Sequence, residues 1–232
     1  MKYHIRTALG ITEDHFSNMV DWILGTLQGS GASPCIWLAI SAVLIAALEQ
    51  RSPGISFRSP DGTIQDVRAA DAFVDDTDLY VSVDTSFPQL AQEAQVVAQH
   101  WEQLLYTSGG ALALNKCFWY GITWEWIDGT PRMQPNSQAP ATIQLTEGHG
   151  TTLNTITRKE CWEGARTLGV RLAPLGNFQD EHAYRLLQFR GLAQNILSSP
   201  ISRFDAYLGY VTMIQRMLRY PLGATCFNQT QC

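Results

Sequence analysis

The sequence predicts an α+β fold, with short strands and packed helices followed by a small helical module. Apolar, β-branched and aromatic residues flank an acidic segment at 75–78, which is the pattern of two strands joined by a turn. Between residues 89 and 105 the apolar side chains recur with the 3.6-residue period of an amphipathic helix. Helical spacing returns after Asp180 and continues to Leu218.

Composition bounds the class of protein. The 232 residues are 45% hydrophobic, which suits a globular chain of one large or two modest domains. Lys and Arg number 16 against 21 Asp and Glu, a net charge of −5. This balance argues against a protein that holds nucleic acid by bulk positive charge, although local basic patches can still bind phosphate. Five scattered cysteines without a Cys-x-x-Cys pair indicate neither a zinc module nor a disulfide framework.

Localisation is expected to be intracellular, in the nucleus or the cytoplasm, because the thiols are predicted to be reduced and no signal peptide opens the chain. The longest apolar run, residues 35–48, is too short to span a bilayer, so we expect no membrane association. A buried helix fits this run better.

A glycine-rich segment precedes that helix. Residues 25–34 read Gly-Thr-Leu-Gln-Gly-Ser-Gly-Ala-Ser-Pro, with Ser33 suited to the N-cap and Pro34 to the first turn. Exposed N–H groups at such a helix start attract phosphate. A loop that packs tightly on a neighbouring strand is the alternative, and the segment is not a Walker loop. Farther on, residues 59–62 (Ser-Pro-Asp-Gly) predict a turn between two strands.

The acidic segment contains Asp75, Asp76 and Asp78, which we expect at the tip of a hairpin. Adjacent carboxylates repel each other, and Mg²⁺ offsets this repulsion by binding one or two carboxylates together with substrate phosphates. Two such metals can hold the attacking and the leaving oxygen in phosphoryl transfer. The alternative is a solvated acidic turn, because Asp is a common turn residue.

Lys116 follows the helix-ending pair Gly109-Gly110 and lies within an aromatic, strand-like run that continues to Trp126. A solvated lysine on an edge strand is its alternative interpretation. Residues 128–154, rich in Pro, Gln, Thr and Gly, are predicted as a loop or linker, which divides the chain into domains 1–127 and 155–232.

The C-terminal module is locally basic. After a short predicted strand at 165–172, residues 181–220 contain five arginines and two acidic residues. This excess is consistent with contacts to a phosphate backbone, and solvated helix faces explain it equally well.

Three pieces in this order resemble the palm of reverse transcriptases of the retrotransposon type. Residues 25–34 are similar to the Gln-Gly-x-x-x-Ser-Pro loop and helix, residues 72–78 (Ala-Phe-Val-Asp-Asp-Thr-Asp) to the aromatic-x-Asp-Asp hairpin, and residues 109–117 to the segment that carries a lysine. Thr167-Leu168-Gly169-Val170 is similar to a following Leu-Gly strand. The resemblance implies a polymerase palm-like antiparallel sheet with packed helices, followed by a thumb-like helical module.

The resemblance also implies roles for individual residues. Asp75 and Asp76 would be catalytic metal ligands for Mg²⁺ or Mn²⁺, and Asp78 stays open. Lys116 would give a proton to the leaving pyrophosphate. The residues that would border template or incoming nucleotide are Gln28, Gly29, Ser33 (chiefly as helix cap) and Phe73. The implied partners are an RNA or DNA primer–template and a dNTP.

One departure from the family pattern concerns the first catalytic carboxylate. Such palms carry another metal-binding Asp on an earlier strand, and upstream of Gly25 this sequence offers only Glu13, Asp14 and Asp21. We therefore expect a fragment of an RNA-directed DNA polymerase, inactive alone, that lacks its fingers and first palm strand. Whether it is a truncated product or an incomplete gene stays open. The alternatives are a noncatalytic nucleic-acid-binding relic of a mobile element and a metal-stabilised scaffold domain.

Overall fold

The protein is an α+β chain built from short, mainly antiparallel sheets and helices. The computed structural model describes residues 32–146 and 152–227, together with the backbone of four two-residue strands before residue 18. Within these ranges no helix is both long enough and apolar enough to cross a membrane.

The elements are numbered in chain order. The strands are β1 (Lys2–Tyr3), β2 (Arg6–Thr7), β3 (Gly10–Ile11), β4 (Phe16–Ser17), β5 (Ile55–Arg58), β6 (Gln65–Arg68), β7 (Ala70–Phe73), β8 (Asp76–Leu79), β9 (Phe118–Tyr120), β10 (Trp124–Ile127), β11 (Thr130–Met133), β12 (Ile143–Leu145), β13 (Asn154–Lys159), β14 (Ala165–Thr167) and β15 (Val170–Leu172). The helices are α1 (Ser33–Glu49), α2 (Phe87–Thr107), α3 (Gln179–Ser198), α4 (Arg203–Gly209) and α5 (Gln215–Arg219), with a π-helical segment (Tyr210–Ile214) before α5 and a 3₁₀ helix (Tyr220–Gly223) after it.

The chain forms two compact units. Unit 1 comprises Met1–Cys117 and Ile143–Ile156, and unit 2 comprises Phe118–Thr142 and Thr157–Cys232. The antiparallel pairs in unit 1 are β1–β4, β2–β3, β5–β6, β7–β8 and β12 with the first half of β13. In unit 2 the pairs β10–β11 and β14–β15 are antiparallel, and Thr157 to Lys159 pair in parallel with β9.

The core of unit 1 lies between α1, α2 and the start of β7. The amphipathic pattern of α2 buries Val97, Trp101 and Leu105, as its 3.6-residue period predicts. Facing residues from the other elements complete the cluster, and these are Leu44, Leu48, Ala69 and Ala70. This packing fixes one face of the β7–β8 hairpin, because Ala70 is buried and Leu79 packs against the same cluster.

Helix α1 begins one residue earlier than a Ser33 cap requires. Its N-cap is Ala32, so Ser33 and Pro34 occupy the first two helical positions, and the prediction of Ser33 as the N-cap is wrong. Pro34 is compatible with this start because the amide of a second helical residue has no partner within the helix. The amide of Ile36 donates to the Ala32 carbonyl at 3.1 Å.

Unit 2 contains a hairpin whose second strand lies in the stretch that the sequence predicts as a loop or linker. Residues 128–154, predicted as a loop or linker, include β11, β12 and the first residue of β13. Asp128 and Gly129 have φ values of 50° and 74° and form a two-residue turn between β10 and β11. Two positive φ values are the signature of the type I′ turn, for which Asp-Gly is a preferred sequence.

The helices of unit 2 are joined to the β14–β15 hairpin by a buried ion pair. Glu181 is fully buried, and its carboxylate accepts from Arg185 Nε at 2.5 Å and from the Arg171 amide at 2.8 Å. Arg185 also donates to the backbone carbonyls of Gly169, at 2.7 Å, and Met217, at 3.3 Å. One guanidinium therefore links α3, α5 and the hairpin turn.

Candidate functional site

The Asp-Asp motif lies on the β7–β8 hairpin, as the sequence predicts, but its turn is shorter than predicted. Val74 and Asp75 are the two turn residues, and Asp76 already begins β8. Asp76 and Asp78 therefore belong to a strand rather than to the turn. Val74 has a φ of 57°, which is unfavourable for a β-branched residue. The turn thus holds a strained residue immediately before Asp75.

The strand register sorts the acidic side chains onto one face. Phe73 lies opposite Asp76, and Asp71 lies opposite Asp78. Directly opposed residues, and residues two apart on one strand, share a face of an antiparallel pair. Asp71, Asp76 and Asp78 therefore project from the face opposite the one that Ala70 and Leu79 turn to the core.

Asp71, opposite Asp78, is a further carboxylate of this face that the sequence pattern does not single out. Its carboxylate accepts from Arg68 Nη1 at 3.0 Å and from the Tyr80 hydroxyl at 3.2 Å. Its position two residues before Phe73 on a predicted strand is the signal that could have found it. Burial, followed by the charge of Asp71, raises the pKa of Tyr80 to about 12, so this hydroxyl stays a donor at neutral pH.

The hairpin carboxylates repel one another at Asp78. Its pKa is raised, first by partial burial and then by the charges of Asp71 and Asp76. A divalent cation would relieve this repulsion, and carboxylate oxygens are the donors that Mg²⁺ prefers. Across the described ranges, however, no three His, Cys, Asp or Glu side chains are grouped closely enough to hold a metal ion by themselves. The donor chemistry fits Mg²⁺ only with one or two carboxylates and further oxygens from a substrate.

The hairpin turn is bonded to α1. The indole Nε1 of Trp37 donates a hydrogen bond to the Val74 carbonyl, one residue before Asp75. Ser33 lies one turn before Trp37 on the same helix. The helix that follows the glycine-rich segment is thus connected directly to the Asp-Asp turn, while Gln28 and Gly29 lie outside the described residues.

The remaining predicted site residues are exposed. Phe73 is 61% exposed beside Asp76. Lys116 lies in a turn, where its amide donates to the Ala113 carbonyl at 2.8 Å, and β9 begins only two residues later. Its placement in the midst of a strand-like run is therefore corrected. In the described part of the chain, no hydrogen bond or ion pair joins Lys116 to the hairpin carboxylates.

Charge is divided unequally between the two units. Unit 1 contains 6 Lys and Arg against 14 Asp and Glu, a net charge of −8. Unit 2 contains 10 against 7, a net charge of +3, and the two values add to the −5 of the whole chain. The carboxylate hairpin lies in the acidic unit, and the arginine-rich helices lie in the basic one.

Comparison with known proteins adds no relative. No protein-family model, curated protein or solved structure matches this chain significantly.

Proposed function

We propose that the chain is a palm-like part of an RNA-directed DNA polymerase, in which the β7–β8 hairpin holds a divalent metal for nucleotidyl transfer. The supporting observation is the hydrogen bond from Trp37 to Val74. It connects the helix after the Gln-Gly segment to the turn that carries Asp75. The helix that begins at the Ser33-Pro34 end of the first polymerase-like motif is thereby next to the turn of the second motif.

Asp75 and Asp76 are the proposed metal ligands, with Mg²⁺ or Mn²⁺ as the metal. Mg²⁺ commonly binds one or two protein carboxylates and completes its coordination with water and substrate phosphates. In a site of this kind the triphosphate of a dNTP supplies further oxygen ligands, so the protein needs to supply only two carboxylates. Asp78, on the same face as Asp76, contributes negative potential to the site.

The other predicted roles follow from the same proposal. Phe73 packs beside the incoming nucleotide, and Gln28, Gly29 and Ser33 border the template or the nucleotide. Lys116 donates a proton to the pyrophosphate that leaves when the primer 3′-hydroxyl attacks the α-phosphate. The basic unit 2 supplies contacts to the backbone of the primer–template.

Metal binding and nucleotidyl transfer can be tested separately on the full chain. Mn²⁺ binding is measured by electron paramagnetic resonance with and without dNTP, and primer extension is measured on an RNA template with Mg²⁺ or Mn²⁺. We expect dNTP to strengthen Mn²⁺ binding, and Asp75→Asn to abolish that effect. Asp84→Asn, an exposed carboxylate outside the hairpin, is the matched control. An Mn²⁺ affinity that neither Asp75→Asn nor Asp76→Asn changes would refute the proposal.

A second candidate is a noncatalytic nucleic-acid-binding protein. The observation that favours it is the +3 charge of unit 2, whose exposed cations include Arg166, Arg190 and Arg203. Phosphate contacts give a linear fall of log affinity with log salt even where chemistry is lost. Salt-dependent binding of primer–template, without dNTP-linked Mn²⁺ binding and without extension, would favour this candidate over the polymerase.

A further inference from the structure

The turn of the β7–β8 hairpin is one that its own residues do not favour. Val74 and Asp75 are the two turn residues, and of these only Val74 has a positive φ, at 57°. A positive φ at the first central residue alone is the pattern of a type II′ turn, which prefers glycine at that position. A β-branched side chain is disfavoured there. Contacts from outside the turn must therefore select its conformation.

Two hairpin turns share the positive φ of the first central residue. Types I′ and II′ differ in the orientation of the peptide unit between the two central residues, and turning that unit over changes the sign of φ at the second residue. In this hairpin the unit contains the Val74 carbonyl and the Asp75 amide, which lie in one plane. The direction of the Val74 carbonyl therefore decides where the backbone aims the Asp75 side chain.

The indole of Trp37 fixes that direction. Its Nε1 donates to the Val74 carbonyl, so the bond acts on the peptide unit that would turn over. Trp37 is itself anchored, because it lies on α1 and packs against the buried cluster of unit 1 that includes Leu44 and Trp101. In the described part of the chain, no other hydrogen bond from outside the hairpin reaches Val74 or Asp75. A core element thus selects one of the two turn orientations.

We propose that Trp37 is a positioning residue of the metal site, whose hydrogen bond selects the turn orientation in which the Asp75 carboxylate can bind the metal. This inference rests on the proposed function and adds the residue that controls the ligand geometry of Asp75. Trp37 acts through the Val74 peptide and not as a ligand, because an indole N–H is a donor only. Asp76 is held by the strand register of β8, so its position does not depend on Trp37.

The first test is a double-mutant cycle on the full chain, with Mn²⁺ affinity measured by electron paramagnetic resonance in the presence of dNTP. Trp37→Phe keeps a ring and removes the donor, and it should weaken Mn²⁺ binding about fivefold, the effect of one ordinary hydrogen bond. In an Asp75→Asn background Trp37→Phe should cause no further loss, whereas in an Asp76→Asn background the loss should remain. Trp162→Phe is the control and should leave the affinity unchanged.

Two further measurements separate positioning from a general loosening of the core. Val74→Gly supplies the residue that a type II′ turn prefers, so adding it to Trp37→Phe should restore most of the Mn²⁺ affinity. In the metal-free protein, the nuclear Overhauser effect between the Val74 Hα and the Asp75 amide proton is strong in a type II′ turn and weak in a type I′ turn. It should become weaker in Trp37→Phe.

Equal Mn²⁺ affinities of wild type and Trp37→Phe would overturn the proposal, and so would a loss that persists in full in the Asp75→Asn background or that Val74→Gly does not reduce. An unchanged Overhauser effect between residues 74 and 75 in metal-free Trp37→Phe would overturn it as well, whether or not the protein binds metal. Failure of the proposed function is recognised separately, by an Mn²⁺ affinity that neither Asp75→Asn nor Asp76→Asn changes.

Discussion

The indole of Trp37 donates a hydrogen bond to the carbonyl of Val74, so a helix side chain holds the turn that precedes Asp75. Val74 has a φ of 57°, a conformation that a β-branched residue adopts only when its surroundings enforce it. We regard the Trp37 bond as part of that enforcement.

Replacing this donor tests its contribution. Trp37→Phe keeps an aromatic ring but removes the N–H group, and we expect a loss of about 1 kcal/mol in the free energy of unfolding. Amide hydrogen exchange should become faster in residues 73–77, measured by mass spectrometry together with chemical denaturation. Trp162→Phe serves as the control, and unchanged exchange in the hairpin would contradict the prediction.

The charges on the hairpin predict a pH-dependent effect of Asp78→Asn. The folded-state pKa of Asp78 is raised, so its contribution to stability falls as the pH rises from the ordinary carboxyl value through the raised one. Asp78→Asn should therefore increase the melting temperature at neutral pH, and this gain should disappear at pH values below the ordinary carboxyl pKa.

The pKa of Asp61 is shifted in the opposite direction to that of Asp78. Hydrogen bonds from Ser59 and Thr63 lower its pKa, so Asp61 stabilises the fold above the unfolded-state pKa and loses this effect as the pH falls through the lowered one. Asp61→Asn should consequently lower the melting temperature at neutral pH. The melting temperatures of Asp78→Asn and Asp61→Asn are followed by calorimetry across pH. Changes of the same sign in the two variants at neutral pH would contradict the opposite pKa shifts of Asp78 and Asp61.

Gly54 and Gly62 form a matched pair that separates backbone strain from close contact. Both have positive φ, 62° and 72°, but a Cβ atom at Gly54 would lie 2.6 Å from the Arg68 carbonyl oxygen, whereas at Gly62 it would meet nothing within 4 Å. Gly62→Ala should cost about 1–2 kcal/mol from its left-handed conformation alone. Gly54→Ala should cost clearly more, and equal losses in urea denaturation would contradict the close contact.

The buried ion pair in unit 2 predicts the largest loss of stability. Glu181→Gln leaves Arg185, which is largely buried, without its carboxylate partner, and breaking such a pair costs about 3–5 kcal/mol. Glu49→Gln, at the exposed end of α1, should change stability little. A loss below about 1 kcal/mol, the range of an exposed ion pair, would show that the Glu181 site relaxes or admits water.

Elements with a strong local period could be predicted from the sequence. The apolar residues of α2 repeat over five turns. The turn between β5 and β6 is predictable because Ser, Pro, Asp and Gly each favour turn conformations. The β10–β11 hairpin was missed because Pro131 weakens a strand pattern and polar residues surround it. The turn at Leu168 and Gly169 was missed for another reason, since Leu168 takes a φ of 50° that its side chain disfavours.

The candidate site could be predicted only in part. Asp75 and Asp76 are conspicuous as neighbours, and the hairpin around them follows from the flanking apolar residues. The face shared by Asp71 and Asp78 depends on a turn of two residues, and a turn longer by one residue would have reversed it. The bond from Trp37 joins residues 37 positions apart, which no local pattern encodes.

The division of the chain into units has a consequence for synthesis on the ribosome. The chain leaves unit 1 after Cys117, returns to it at Ile143 and leaves it again after Ile156. Residues 118–142 therefore emerge before the strand pair that completes unit 1, and neither unit corresponds to one uninterrupted stretch of chain. A nascent chain released before Ile156 would lack β12 or its partner strand, so we expect stable folding of unit 1 to begin only after that residue has left the exit tunnel.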